Sequence, residues 1–303
     1  MKTTIFVSAC LLLLSYTLCA QDKPGTTILT GPYLGQKPPG MTPEIFAPGL
    51  ISNDIQSECC RAISPDGKEI FFVRIFDNGE ILFRMAEEEN GWTKPKEASF
   101  TDVAFQYTPF ISPTGDKMLF IAGKSRPVRG AKNPLPEIWM LNRAGDKWSE
   151  LHSLGTTIGG TQPYYISMAK NGTLYFSCMD RYGIFKSVSE DGKYLKAEKL
   201  IDETNSFERV SHPYVAPDES YIIVHARDET GMNGLDLYIS FLKADGNWTK
   251  AINMGNTINT PGNEVCPSMS SDGKYIFFGR WKKGELNHIH WVSSEIIEDL
   301  RPK

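Results

Sequence analysis

The chain has 303 residues, of which 22% are charged and 41% hydrophobic, and a formal net charge of −4 at neutral pH. A weakly acidic chain of ordinary composition lacks the basic surface expected of a nonspecific nucleic-acid-binding protein. After the first twenty residues, no apolar run approaches the ~20 residues that a membrane-spanning helix needs. The composition therefore predicts a globular protein with no nucleic-acid partner and no transmembrane segment.

Residues 1–20 have the pattern of a secretory signal peptide. Lys2 precedes an apolar stretch, and the segment ends in Leu18-Cys19-Ala20, which suits cleavage after Ala20. We therefore expect export to the periplasm or the cell exterior. Cys19 raises the alternative of a lipid-anchored outer-membrane form, but Leu18 is larger than the residue that usually precedes a lipidated cysteine. Residues 21–40 are predicted to be an extended lead-in with no core of its own, and residues 41–303 a single domain.

One phrase recurs five times at intervals of roughly fifty residues. An apolar run leads into a Ser/Ala-Pro-Asp-Gly-like turn, and an aromatic-rich run follows. The five copies lie at 62–72, 110–120, 167–176, 215–224 and 268–278. Two strands around a tight turn, repeated with this period, are typical of stacked or radial β-repeats.

The first repeat contains four short strand patterns. After the Asp66-Gly67 turn come strands at 69–74 and 81–86 and an outer segment at 92–98, separated by Asn-Gly turns. Four short antiparallel strands are one blade of a β-propeller. Five copies predict an all-β protein of five blades. Six blades would need a hidden repeat, and the only long enough stretch, 124–136, lacks strand alternation and is interpreted as a loop.

The fifth repeat lacks an outer strand, and a matching segment lies near the start of the chain. Residues 41–50 resemble the outer segment at 92–98 without a blade of their own. We therefore predict that residues 41–50 pair with the last blade and close the ring, which removes the exposed edges of an open sheet.

Two copies of the phrase carry a resemblance to a known family. Ser64–Phe72 and Ser270–Phe278 resemble the WD40-like repeats of TolB-type β-propellers, and the resemblance covers about residues 40 to 295. Residues 33–40 together with 296–302 also look like a group of exported bacterial propellers of unassigned activity. The resemblance implies the fold and no substrate, because a fold does not fix a function.

In a propeller, two sets of loops meet around one mouth of the central channel. The loops that enter the innermost strands contribute Glu58, Gln106, Tyr107, Gln162, Arg209, His212 and Glu264. The loops between the second and third strands contribute a basic residue at nearly every blade and one tryptophan: Arg74, Arg181, Arg227, Arg280 and Trp281. The sequence therefore predicts a cationic ring around two carboxylates.

Two interpretations of this ring stay open. The arginines pair internally with Glu58 and Glu264, or they bind a carboxylate or sulfate of a ligand through their guanidinium forks. Trp281 either stacks on a sugar ring or packs in the fold. We expect a monomeric binding module for a glycan or a peptide, with no cofactor and no metal.

The alternative is a carbohydrate-active hydrolase or lyase on acidic polysaccharide. Glu58 and Glu264 occupy matching places and would serve as acid and base in a hydrolase. His212 beside Arg209 would be the base of a lyase. Both patterns also have structural explanations, namely repetition and a histidine that bonds the backbone before Pro213.

Cysteines occupy the same position in the first and last repeats. Cys60 and Cys266 would be neighbours in a closed ring. Either a disulfide or two buried thiols fits this placement, and the thiols are the favoured interpretation because buried cysteines are common in strands.

Overall fold

The computed structural model describes residues 29–77, 79–98, 100, 105–123, 136–145, 147–155, 158, 162–179, 183–200, 207, 209–227 and 234–303, with the backbone alone at 105–107. The signal-peptide segment, residues 21–28 and most of the 124–136 loop lie outside these ranges, so export, lipidation and the domain limits stay predictions. None of the helices in the described ranges combines the length and the apolar character needed to cross a membrane.

The repeated phrase forms the hairpin turn between the first two strands of a blade. Ser64 Oγ accepts a hydrogen bond from the Glu69 N–H at 2.9 Å, and Gly67 adopts a φ of 71°. Ser112 and Ser270 accept the equivalent bond in their own blades. Because a positive φ favours glycine and the serine satisfies a buried donor, the phrase specifies this turn.

The chain enters through a short strand and then builds its blades in sequence order. A 3-10 turn at Pro32–Gly35 comes first. The strands that follow are β1 (Glu44–Ile45); in blade 1, β2 (Ser57–Ile63), β3 (Glu69–Phe76), β4 (Gly79–Glu88), β5 (Gly91–Trp92) and β6 (Lys96–Glu97); and in blade 2, β7 (Phe105–Ile111), β8 (Lys117–Gly123), β9 (Glu137–Ala144), β10 (Lys147–Trp148) and β11 (His152–Ser153).

The remaining three blades repeat this plan. Blade 3 contains β12 (Pro163–Met168), β13 (Leu174–Cys178), β14 (Ile184–Ser187), β15 (Ser189–Glu190), β16 (Lys193–Tyr194) and β17 (Glu198–Lys199); blade 4 contains β18 (Arg209–Val215), β19 (Tyr221–Arg227), β20 (Asp236–Phe241) and β21 (Ile252–Asn253); and blade 5 contains β22 (Asn263–Met269), β23 (Tyr275–Trp281) and β24 (His288–Ser293), followed by α1 (Glu295–Leu300).

Five antiparallel sheets therefore surround the axis, and the prediction of a five-bladed β-propeller is confirmed rather than the six-bladed alternative. Strands β2, β7, β12, β18 and β22 are the innermost of their blades and lie beside one another around the channel. Five apolar clusters fill the five spaces between neighbouring blades. The core is thus a ring of blade interfaces.

The predicted ring closure is also confirmed. Strand β1 pairs with β24, with Glu44 opposite Trp291, so the N-terminal segment is the outer strand of blade 5. The Phe46 N–H donates to the Ile289 carbonyl at 2.8 Å. The Phe46 side chain is fully buried, and its ring contacts those of Phe277 and Trp291. Apolar burial and backbone pairing thus join the two ends of the chain.

The described part of the lead-in, 29–40, does more than extend along the surface. The Leu34 side chain is buried in the cluster between blades 1 and 5. The Trp92 indole N–H donates to the Gly31 carbonyl, and the Tyr33 hydroxyl donates to Asp272. The lead-in therefore crosses from blade 1 to blade 5 and reinforces the closure.

Candidate functional site

A β-bulge interrupts every innermost strand at the same position. The pairing register shifts once in each of these strands. The residue at the shift lies four positions before the turn phrase, and we call the five equivalent residues the bulge ring: Cys60, Thr108, Tyr165, His212 and Cys266. Four of them have positive φ, between 45° and 55°. Positive φ is uncommon for residues other than glycine, and such strain is often found at functional sites.

The bulge ring fills the channel axis. Cys60 and Cys266 have their sulfur atoms 3.2 Å apart, and the Tyr165 hydroxyl lies 3.3 Å and 3.2 Å from them. The Cys266 N–H donates to His212 Nδ1 at 3.1 Å. Tyr165, His212 and Cys266 line a cavity on each side. The bulge ring therefore divides the channel into an upper chamber, where the innermost strands begin, and a lower chamber.

The expected closeness of Cys60 and Cys266 is realised, and both are free thiols. Burial raises the pKa of the Cys60 thiol well above its ordinary value. Because the thiolate is the reactive form of cysteine, the geometry gives Cys60 the character of an inert buried thiol.

The upper chamber has a volume of about 780 Å³ and opens at the mouth of the channel. Its rim carries Trp281, whose side chain is 44% exposed, and the exposed Arg209. Deeper in the chamber are Tyr164, Asn287 and His225. Neither the Asn287 Oδ1 nor the His225 Nδ1 makes a hydrogen bond within the described residues, although both atoms are buried. The chamber wall thus combines aromatic surface with two unbonded polar atoms that are buried beneath it.

The twelve residues predicted for the mouth separate into three groups. Arg209, His212 and Trp281 line the upper chamber. The side chains of Gln106 and Tyr107 and all of Arg181 lie outside the described residues. The remaining six are absent from the described lining of the chamber: Glu58, Arg74, Gln162, Arg227, Glu264 and Arg280. A ligand role for the twelve residues as a group stays a prediction.

Glu264 and Arg280 form an internal pair. The Glu264 side chain is fully buried and accepts bonds from Arg280 Nε at 3.0 Å and from the Thr260 hydroxyl at 2.7 Å. Arg280 also donates to the Ile258 carbonyl at 2.8 Å. The arginine therefore fixes the segment that enters β22, and its guanidinium is used within the fold.

In blade 1, Glu58 and Arg74 are likewise used within the fold, although each has its own partner. The Arg74 guanidinium donates to the Leu50 carbonyl at 2.7 Å, and Glu58 is fully buried beside His288 of blade 5 at 3.2 Å. The predicted cationic ring is thus not formed by Arg74 and Arg280. The physical reason is strand alternation: neighbouring strand residues face opposite ways, so Ser57 and Cys59 face the chamber while Glu58 faces away.

Histidine chemistry in the upper chamber is constrained by the bulge. Burial lowers the pKa of His212, so its imidazole is neutral near pH 7. Its Nδ1 already accepts the Cys266 N–H, so the ring proton lies on Nε2. Burial and the neighbouring His212 lower the pKa of His225 further. The neutral His212 ring therefore has a bonded Nδ1 and a protonated Nε2, and neither nitrogen is free to act as a base.

The buried Glu58 carboxyl leads to a pH prediction. Burial raises its pKa from 4.5 to about 6, against the opposing hydrogen bond from His288. The folded state therefore holds this proton over a range in which the unfolded state releases it, so stability falls as pH rises from about 4.5 to 6. Glu58→Gln has no carboxyl to titrate at this position. Its unfolding free energy should therefore fall less between pH 4.5 and 6, by roughly 1 kcal/mol after allowing for partial solvent screening. Urea unfolding at several pH values measures this difference. If the unfolding free energies of wild type and Glu58→Gln changed in parallel with pH, the raised pKa of Glu58 would be contradicted.

The fold is shared with solved propellers of several kinds. A putative TolB from Agrobacterium tumefaciens has a TM-score of 0.51 and 13% identity, over 79% of this chain and 78% of that chain. The catalytic domain of a Coprinopsis cinerea GH62 α-L-arabinofuranosidase has a TM-score of 0.53 and 8% identity, over 84% of this chain and 97% of that domain. No protein-family model and no curated protein matches the chain.

These identities are too low to transfer an activity, so the likeness concerns the fold. The chain has a five-bladed β-propeller fold similar to that of the TolB structure. The same overall architecture occurs in TolB proteins and in glycoside hydrolases, which leaves the function to be argued from the chambers of the channel.

Proposed function

We propose that this protein is an exported binding module that holds a short oligosaccharide with an acidic group in its upper chamber. The observation that carries the proposal is the open chamber of about 780 Å³ with an exposed tryptophan at its rim. This volume is within the range of sites for small ligands. The half-exposed indole of Trp281 offers an apolar face on which a sugar ring stacks beside this space.

The polar atoms of the chamber are compatible with a sugar ligand. Asn287 Oδ1 and His225 Nδ1 are buried without a partner among the described residues. Leaving such atoms unpaired is unfavourable, and the hydroxyl groups of a sugar both donate and accept hydrogen bonds. The exposed Arg209 at the same chamber suits a carboxylate, because a guanidinium binds that group through two parallel bonds.

Binding is supported better than cleavage by the same contacts. Glu58 and Glu264 are buried and hydrogen-bonded inside the fold rather than facing the chamber, so they do not flank a ligand there. Among the described lining residues Glu80 is the one carboxylate, whereas glycoside hydrolysis generally needs two. The proton on His212 Nε2 argues against a lyase base.

Calorimetric titration with neutral and uronate-containing oligosaccharides tests the proposal. Trp281→Ala should weaken binding of the whole panel by about tenfold, because the stacking contact with the sugar ring is lost. Arg209→Gln should weaken only the uronate ligands, because only they carry the charge. Leu195→Ala is the matched control, since Leu195 is 40% exposed and is not among the lining residues.

Three results would overturn the proposal. Release of cleaved product from the same panel would show an enzyme. Binding confined to peptides would show the wrong ligand class. Equal oligosaccharide affinity in wild type and Trp281→Ala would place the ligand elsewhere on the molecule.

A further inference from the structure

The lower chamber lies on the opposite side of the bulge ring from the proposed sugar site. It has a volume of about 260 Å³, and a narrow inner end of about 30 Å³ reaches the bulge ring. Four residues line both the chamber and its inner end: Arg61, Phe110, Tyr214 and Ser268. The two spaces are thus parts of one cavity, with Arg61 and Ser268 where they meet.

Arg61 has a buried guanidinium that makes no hydrogen bond to the part of the chain that the structure describes. The residue is 5% exposed, and Nε, Nη1 and Nη2 are all buried without a hydrogen bond to any residue that the structure describes. The guanidinium carbon lies 3.1 Å from the centroid of the Phe277 ring, and an aromatic face does not neutralise the charge as an anion would. Burial lowers the pKa of Arg61 well below its ordinary value. A buried charge is strongly unfavourable unless it is paired, so this group calls for an anion.

The repeat itself gives no reason for a charge at this position. Arg61 directly follows the bulge in blade 1, and the equivalent residues in the other blades are Pro109, Ile166, Pro213 and Pro267. Four blades therefore fold with an apolar side chain where blade 1 has an arginine. The charge is particular to this blade and to the cavity beside it.

The rest of the lower chamber is suited to an anion. Ser268 Oγ and Thr108 Oγ1 are also buried without a partner among the described residues, and both lie at the inner end. The exposed Lys170 is at the outer part of the chamber. The described lining of both spaces contains no carboxylate. The lining thus contributes two cations and two hydroxyls, and the outer part, at about 260 Å³, is large enough for a small anion.

We propose that the lower chamber binds a small oxyanion, a carboxylate or a phosphate group, with Arg61 as its principal partner and Ser268 and Lys170 as further contacts. This site is separate from the upper chamber and does not depend on the function proposed there. A guanidinium binds both kinds of oxyanion through a planar fork, and the hydroxyl of Ser268 donates a further hydrogen bond.

The experiment uses sodium phosphate and sodium acetate as probes, against sodium chloride at equal ionic strength. Calorimetric titration of the full chain should show saturable binding at one site for at least one probe, and the stronger probe identifies the class of oxyanion. Arg61→Gln should reduce that affinity by about tenfold or more, because a charge-assisted bond to the anion is lost. Lys250→Gln removes the same charge at an exposed position outside the chamber and should leave the affinity unchanged.

Melting temperatures in chloride provide a second measurement. Arg61→Gln should melt at the wild-type temperature or above, because the variant no longer buries an unpaired charge. The rise in melting temperature that the probe causes in wild type should be absent in Arg61→Gln. If that variant does not fold, Ser268→Ala decides the question, with an expected loss of severalfold in probe affinity.

The proposal is overturned if neither probe binds wild type saturably, or if binding is unchanged in Arg61→Gln. A marked fall in melting temperature for Arg61→Gln in chloride would also overturn it, since the guanidinium would then be satisfied within the fold, for instance by a water at the inner end. Trp281→Ala should bind the phosphate or acetate probe as tightly as wild type. A failed test of the sugar site can therefore be distinguished from a failed test of the lower chamber.

Discussion

Phe46→Ala should destabilise the protein by about 3 to 5 kcal/mol, the usual cost of removing a fully buried phenylalanine ring. The matched control is Ile45→Ala, one residue earlier, at less than about 0.5 kcal/mol. Ile45 belongs to the same closing segment but points outward and is 41% exposed, whereas Phe46 is fully buried. Both variants keep the backbone pairing of the closing strand, and only Phe46→Ala loses a buried side chain. The difference between them therefore measures the contribution of apolar burial to the closure.

The size of the Phe46 effect follows from its place between blades. Its ring centroid lies 5.1 Å from that of Phe277 and 5.2 Å from that of Trp291. Loss of the ring would leave a cavity in the cluster that joins blade 5 to blade 1. Because closure protects the free edge of β24, partial opening should also promote aggregation.

Urea unfolding measured by circular dichroism gives the free energies for both variants. An equal loss in Phe46→Ala and Ile45→Ala would contradict the view that burial of the Phe46 ring drives the closure. A loss below about 1 kcal/mol in Phe46→Ala would show that the neighbouring residues collapse into the cavity.

The sequence predicted the blades because their signals are local. A hairpin turn is specified by a few consecutive residues, as at Ser64 to Gly67, and each copy adds support to the others. The closing strand was predicted from two facts that only a ring explains, a missing outer strand at one end and a spare one at the other. The five blades and the closing strand could both be predicted from the order of segments along the chain, without knowing which way any side chain points.

The site was predicted less well because it depends on direction. Counting residues from each loop put Glu58, Arg74, Glu264 and Arg280 at the mouth, but alternation along the strands turns the four side chains into the fold. The bulge ring as a whole was not predicted, although the closeness of Cys60 and Cys266 was. Its signal was a proline directly after three of the five ring residues, at Pro109, Pro213 and Pro267, since a proline inside a strand often marks a bulge.

The unpaired guanidinium of Arg61 had no such signal in the sequence. It stands in a run that matches the other repeats in strand pattern, and an arginine in a strand is ordinarily exposed. Its burial depends on contacts with blade 5, more than two hundred residues away in the chain. Long-range packing of this kind is not encoded in any local pattern.

The remaining question about the mouth arginines is decided by Arg280→Met. The fully buried Glu264 carboxylate would lose its charged partner and keep only its bonds from Thr260. Removing one member of a buried ion pair is strongly destabilising. We expect a loss at the lower end of the usual range, about 3 kcal/mol, because the arginine itself is partly exposed. Arg209→Met, at the rim of the upper chamber, should change stability by less than about 0.5 kcal/mol.

A double variant makes the Arg280 experiment specific to the pair. Glu264→Leu combined with Arg280→Met removes both charges, so it should recover much of the stability that the single variant loses, because no unpaired charge is left buried. Denaturant unfolding of wild type, both single variants and the double variant gives the coupling energy. An unchanged unfolding free energy in Arg280→Met would mean that the guanidinium does not support the fold, and the interpretation of Arg280 as a ligand-binding group of the mouth would then be favoured.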